Sequence, residues 1–215
     1  ASAGFLITAG NIAFSWTIAL GIIGLVLLLL AIYNKFMLPW PVENNDKEKI
    51  GWGVYKDVFV SFFTKPGIIP ALIFFLFYRF GESQLVKVAT PFLVDSRSSG
   101  GLGLTSAQYG IAYGTIGMLC LTLGGILGGI AAAKYGLKRL IWIMAICINL
   151  PDAVYVYLAY AKPMPGDISI YLSIALEQLG YGFGFIAYML FMLYFVGESR
   201  YKTAEYAIGT SLMAL

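Results

Sequence analysis

Hydrophobic and polar positions in this chain do not alternate finely. Apolar residues come in long runs, and short polar segments separate them. The first run covers residues 3–33, with GIIGLVLLLLAIY at its core, and closes at Lys35 and the Pro39-Trp40-Pro41 breaker. Further runs cover 66–94, 106–133, 140–161 and 168–196, and a last one opens at Thr203 and reaches Leu215 without the length to finish a span. Apolar stretches of roughly 18 residues or more predict membrane helices. The pattern therefore predicts an all-α, polytopic transmembrane helix bundle of about six membrane-spanning segments, the last one truncated. Residues 1–38 form the first helix, 39–65 a linker, and 66–215 a bundle incomplete at its end. Both ends are expected to be cuts through a longer polypeptide, because the chain opens at Ala1 and stops inside an apolar run. No charged region followed by a cleavage site marks a signal peptide.

The linker differs in kind. VENNDKEKIGWGVYKDVFVSFFTK is polar at first and then amphipathic: Val54, Val58, Phe62 and Trp52, Tyr55, Phe59 alternate with Lys56, Asp57 and Lys65 at helical spacing. A short helix lying on the membrane surface fits this pattern. Lys47, Lys49, Lys56 and Lys65 suit an anionic cytoplasmic leaflet.

The stretch Lys65–Val94 is the most informative one. It is apolar enough to cross a bilayer, yet it carries Arg79, Glu82 and Lys87 well inside its ends. At ~1.5 Å per residue, Arg79 lies ~20 Å from Pro66, near the middle of a ~30 Å hydrocarbon core. An unpaired charge at that depth costs at least ~2.5 kcal/mol, so an ionisable residue there points to function. On a helical wheel Arg79, Glu82, Ser83, Val86, Lys87 and Thr90 share one face, which must look into protein or water. A structural ion pair between Arg79 and Glu82, three residues apart, is the plainer alternative. It leaves Lys87 unexplained.

Composition narrows the class. Of 215 residues, 60% are hydrophobic and 12% charged, and the mean hydropathy is +0.81. Soluble domains run at roughly 25% charged, so a cytosolic globular fold is excluded. The net charge of +3 is spread over loops and argues against nucleic acid as a partner. The absence of histidine removes most haem sites, most catalytic zinc sites and the commonest general base. Cys120 and Cys147 form no CxxC and read as small core residues. No cofactor and no metal are expected. Placing the loops around 34–65, 134–139 and 197–202 in the cytoplasm gives them ten Lys and Arg residues, Lys35 to Lys202, and leaves only Arg97 and Lys162 opposite. Strict helix alternation and the positive-inside rule then agree.

The remaining charges point to a cavity. Glu177 lies ~14 Å from the outer end of its run, and Asp152 ~20 Å from the inner end of its own. Arg79, Glu82, Asp152 and Glu177 are thus expected at one level near the midplane, where secondary transporters place their solute sites. The glycine pairs Gly110/Gly114, Gly124/Gly128 and Gly125/Gly129 are small-xxx-small faces that bring helices together. Gly180, Gly182 and Gly184 could let their helix bend during alternating access, but close packing is the favoured reading.

Two features resemble the major facilitator superfamily: the long linker with its surface helix, and the turn from Gly129 to Arg139. That turn is similar to the family's cytoplasmic G-x-x-x-D-R-x-G-R-R loop at Gly129, Lys134, Gly136, Lys138 and Arg139. Ala133 stands where the family usually has aspartate, and Leu137 where it often has arginine. The resemblance implies a gating loop at these positions, and a chain made of the sixth helix, the central linker and most of the C-terminal half of a two-half transporter. Residues 72–215 resemble AmpG-type muropeptide permeases more closely. The shared features are the basic-then-acidic pair Arg79 and Glu82, the pair Glu177-Gln178 before Gly180, Gly182 and Gly184, and Thr203-Ala-Glu205-Tyr206-Ala207. This likeness implies proton-coupled import of muropeptide-like sugar–peptides across a bacterial inner membrane. Its partners are a small-molecule solute and a proton, the lipid bilayer, and the N-terminal half of the same transporter.

On this reading Glu82 or Glu177 exchanges the coupling proton, since a low-dielectric cavity favours the neutral carboxyl and a nearby arginine favours the charged one. Arg79 and Lys87 hold a substrate carboxylate or neutralise the acid. Gln178, Asn149, Tyr181 and Tyr188 bond sugar hydroxyls, Tyr181 and Tyr188 lying on the Glu177 side of their helix. Ordinary helix packing is the alternative for each tyrosine. A same-fold symporter for sugars, nucleosides or acyl-CoA is the main rival. A membrane-embedded enzyme or respiratory subunit would need a redox or metal centre or a nucleophile–base pair, and the lack of histidine counts against it. A passive channel would need a filter-like repeated loop or a ring of charge, which the sequence does not show.

Overall fold

A segment can cross lipid only if its backbone polar groups are paired internally, which one helix achieves by itself. A computed structural model describes residues 12–38, 52–197 and 199–213, and among these the regular elements are helical. They are α1 (Ile12–Met37), α2 (Trp52–Phe63), α3 (Ile68–Phe77), α4 (Phe80–Val94), α5 (Ser106–Ile111), α6 (Met118–Tyr135), α7 (Leu137–Asn149), α8 (Val154–Ala161), α9 (Ile168–Val196) and α10 (Lys202–Met213). Among the described residues five spans are long and apolar enough to cross a membrane: Phe14–Met37, Ile68–Val94, Ser106–Tyr135, Leu137–Ala161 and Ile168–Val196. Helix α10 has 12 residues and is too short to do so. The Pro39-Trp40-Pro41 breaker, Lys47 and Lys49 lie outside the described residues.

Helix α9 organises the bundle and packs against α6 on one side and α7 on the other. Glycine makes both approaches possible. Gly124 and Gly128 of α6 abut the backbone of Leu179 and Phe183, and Gly182 meets Leu121 and Gly125 in return. On the opposite side Gly180 and Gly184 abut the carbonyls of Cys147 and Met144 in α7. Any side chain at these points would overlap backbone, which cannot retreat. The three glycines of α9 are packing positions, as expected. Gly129 is not: a Cβ there meets nothing within 4 Å.

Three spans expected to be continuous are interrupted. The central span breaks at Tyr78–Arg79 between α3 and α4, and the fourth breaks at a 3-10 turn, Leu150–Ala153, where Pro151 removes a backbone donor. The third carries a π-helical turn, Ala112–Gly117, that includes Gly114 and Gly117. Loop chemistry fixes the ends. Thr105 and Gln108 form a reciprocal capping box at the start of α5. Asp167 accepts from the Ser169 N–H at the start of α9, a bond that holds its carboxyl below the usual range. Arg97 ties two loops at that end by donating to the carbonyls of Lys162 (2.8 Å) and Pro163 (2.7 Å). At the other end α6 passes into α7 through Gly136 alone, at φ 79°.

The buried apolar residues form two clusters rather than one. One, around Phe75, Met144, Tyr188 and Met192, lies toward the Gly197 end of α9. The other, around Leu93, Leu102, Leu158, Ile170 and Ile174, lies toward its Ile168 end. Along the helices the Tyr78–Arg79 and Leu150–Ala153 interruptions, with Glu82, Asp152 and Glu177, fall between them. Outward residues such as Leu123, Ile126, Leu127 and Ile130 are exposed, as a lipid-facing surface requires.

Candidate functional site

A helix that breaks inside a membrane leaves backbone carbonyls that neighbours must satisfy. At the Tyr78–Arg79 break, Asn149 Nδ2 donates to the Tyr78 carbonyl at 3.2 Å and to that of Ala145 at 2.8 Å. The Tyr78 hydroxyl donates to the Gly184 carbonyl at 2.9 Å, so the break is pinned to both α7 and α9. Asn149 itself ends α7, where the second interruption begins. The two breaks therefore lie side by side. Gly81 sits at their contact, where a Cβ would come within 2.9 Å of Asn149 Oδ1 and 4.0 Å of Asp152 Oδ2. Asn149→Ala should strand the Tyr78 carbonyl and cost about 1–3 kcal/mol of stability, read as a lower denaturation midpoint of the purified chain.

The break delivers charge to the protein interior. Arg79 donates to Glu82 Oε2 through Nη2 at 2.6 Å and Nε at 3.1 Å, and Nη2 also donates to the Tyr181 hydroxyl at 2.9 Å. Its guanidinium lies over the rings of Tyr181 (5.2 Å) and Phe185 (5.3 Å). Glu82 is 4% exposed and Glu177 5%. Glu177 is contacted by the Gln178 amide, 3.1 Å from each carboxylate oxygen, and has no ion-pair partner among the described residues. Glu82, Asp152 and Glu177 are close enough to act on one another electrostatically. The π-helical turn closes the site from α6: a Cβ on Gly117 would meet Gln178 Cγ at 3.2 Å. Tyr113 on that turn shares a hydrogen bond with Tyr155. Among the described residues no group of three potential metal ligands gathers.

Known proteins resemble much of this chain. Over 165 residues the chain is 28% identical to an uncharacterized protein of Haemophilus influenzae, covering 72% of this chain and 37% of that one. It is 24% identical to the putative transporter AmpG 4 of Rickettsia felis over 160 residues, 73% of this chain and 36% of the relative. It is 23% identical to the anhydromuropeptide permease of Escherichia coli K12 over 158 residues, 72% and 30%. The chain is a relative of the AmpG-type transporters. It spans about a third of the length of these curated relatives. No family model and no solved structure matches it. With five membrane-length helices among the described residues and AmpG-type relatives, it is a multi-pass integral membrane protein. The relatives that carry a functional name are transporters or permeases, not enzymes.

Against this AmpG-like background the residues singled out by sequence divide into three groups. Arg79, Glu82, Asp152, Glu177, Gln178, Asn149 and Tyr181 are brought together. Lys87 and Tyr188 are not part of that network: Lys87 is exposed, and Tyr188 is 0% exposed in the aromatic cluster with Phe74, Phe75, Tyr78 and Phe185. The Tyr188 hydroxyl has no partner among the described residues. Lys134, Gly136, Lys138 and Arg139 lie at the exposed α6–α7 junction, near the opposite end of α6 from the site. Tyr78, Gly81 and Phe185 belong to the site and were not anticipated. The available signals were a glycine beside the charges of an apolar run, which marks a break, and the i, i+4 spacing of Tyr181 and Phe185. Lys65 is a correction. It does not face the leaflet but turns inward to pair with buried Glu205, because carbonyls and a carboxylate wait for it there.

Proposed function

We propose that the chain is the solute- and proton-handling part of a secondary active transporter, working with a preceding helical half to move muropeptide-like sugar–peptides inward by alternating access. The observation that supports this best is the meeting of two broken helices around Arg79, Glu82, Asp152 and Glu177. Discontinuous helices place backbone groups and charges at mid-depth without exposing them to lipid, as solute sites of secondary transporters do. The AmpG-type names of the relatives favour sugar–peptide cargo.

In this reading Arg79 is the anion-binding group. A solute carboxylate would compete with Glu82 for its donors while the rings of Tyr181 and Phe185 keep the guanidinium in place. Glu177, buried without a cation, is the carboxyl whose charge is most costly to keep, and proton binding there removes that cost. Gln178 and Tyr181 offer hydrogen bonds to sugar hydroxyls. Asn149, whose amide hydrogens are engaged by two carbonyls, holds the helix break rather than the solute.

The test is counterflow of labelled anhydromuropeptide into proteoliposomes carrying the chain together with its preceding half. Uptake should rise with an inward proton gradient and fall at least ~10-fold in the Glu82→Gln/Glu177→Gln double variant. Uptake indifferent to both would end the proton-symport proposal. Uptake of a simple sugar or nucleoside instead would move the cargo to the rival reading.

A further inference from the structure

The second buried ion pair lies away from the two breaks, at the Val196 end of α9. Lys65 Nζ pairs with Glu205 and donates to the carbonyl of Val196 at 2.7 Å and, more weakly, to that of Phe195 at 3.5 Å. Glu205 is 0% exposed, and its Oε1 accepts from Ser61 and Ser199 at 2.7 Å each. Ser199 in turn accepts from the Tyr201 N–H at 3.2 Å, which fixes the turn between α9 and α10. One lysine thus caps the C-terminal carbonyls of α9, where cations are favoured. It also joins the end of α2 to α10, across 140 residues of sequence.

Two structural observations give this cluster more than a stabilising part. Ser61 and Lys65 continue the stripe of Val58 and Phe62, the inward face of the linker helix. The aromatic Trp52, Tyr55, Phe59 and Phe63 point elsewhere and are exposed. Among the described residues this stripe carries the buried positions of α2. Beside the ion pair an open depression of about 600 Å³ is lined, among the described residues, by Ser61, Lys65, Pro66, Tyr194, Ser199 and Arg200.

We propose that Lys65–Glu205 is a latch that locks the linker helix onto the ends of α9 and α10, so that α2 and α10 move apart only when the pair breaks. The arrangement is all-or-none. If α10 withdraws, Glu205 loses its cation and Ser61 together, while Lys65 keeps only the α9 carbonyls. A buried charge stranded in this way disfavours intermediate positions. The latch does not depend on which solute the protein carries, so its test stands apart from the transport reading.

The experiment places spin labels at Thr64→Cys and Lys202→Cys in a chain with Cys120→Ser and Cys147→Ser, in lipid nanodiscs, and measures the distance distribution by electron–electron resonance. A reference pair, Ser98→Cys and Met164→Cys, reports the opposite end of the bundle. The unmodified latch should give one narrow Thr64–Lys202 distribution. Lys65→Met and Glu205→Gln should each broaden it or add a longer population, with the reference pair unchanged. If a single variant also disturbs the reference pair, Lys65→Met/Glu205→Met, which strands no charge, decides between the outcomes. Broadening confined to the latch supports the proposal, and a narrow distribution in that variant overturns it. Unchanged distances in both single variants overturn it equally.

Discussion

Gly182→Val should prevent the bundle from assembling, lowering stability by about 3 kcal/mol or more. A Cβ at this position meets the backbone of Leu121 and Gly125 in α6, and helix backbones cannot move apart without opening the whole α6–α9 contact. Valine adds two methyl groups to that overlap. Gly129→Ala is the control, because nothing lies within 4 Å of its added Cβ and alanine is about 1 kcal/mol better than glycine inside a helix. Denaturant titration of the two purified variants in detergent, followed by far-ultraviolet circular dichroism, should give midpoints displaced in opposite directions. Equal midpoints would show that the glycine-mediated approach is not what holds α6 to α9.

Arg79→Met should be more damaging than Glu82→Gln, and the asymmetry follows from the surroundings of each charge. Removing Arg79 leaves Glu82 buried, and a buried ion that loses its partner costs about 3–5 kcal/mol. Removing the charge of Glu82 leaves Arg79 with the Tyr181 hydroxyl and the faces of two rings, so a smaller loss, about 1–2 kcal/mol, is expected. The double variant Arg79→Met/Glu82→Met should recover part of the stability of the single Arg79 variant, because it strands no charge. It should still fail to bind an anionic solute. A double variant as unstable as the sum of its singles would mean that the pair is not coupled. Solute binding that survives loss of Arg79 would remove it from the anion-binding role while leaving its structural role intact.

Much of this protein was legible along the chain because lipid imposes a length and a polarity that each segment must meet alone. The runs ending at Val94, near Tyr135 and Ala161, and at Val196 correspond to four of the five membrane-length helices among the described residues, and the fifth, Phe14–Met37, overlaps the first apolar run and continues past its end. Arg79, Glu82, Asp152 and Glu177 stood out because charges are rare and costly at that depth. Even the packing role of Gly180, Gly182 and Gly184 was apparent from their crowding in one run.

What the periodicity could not supply was where a helix gives way. A helical wheel set Lys87 at the edge of the face that holds Arg79 and Glu82, but Lys87 follows Glu82 by about 140° of turn on the same helix, and packing buries Glu82 while leaving Lys87 exposed. The break at Tyr78–Arg79 and the two-carbonyl grip of Asn149 are tertiary events, since a broken helix persists only where a neighbour satisfies the freed carbonyl. The same holds for Lys65. Its sequence neighbours describe an amphipathic surface helix with a lysine at its end, and nothing local distinguishes a lysine reaching for lipid from one reaching inward. Glu205 and the carbonyls of α9 make that choice from 130 to 140 residues away. Local composition thus determined which segments enter the membrane and which charges are costly there. Only the packed bundle decided which partners relieve that cost, because pairing depends on residues that meet in space and not in sequence.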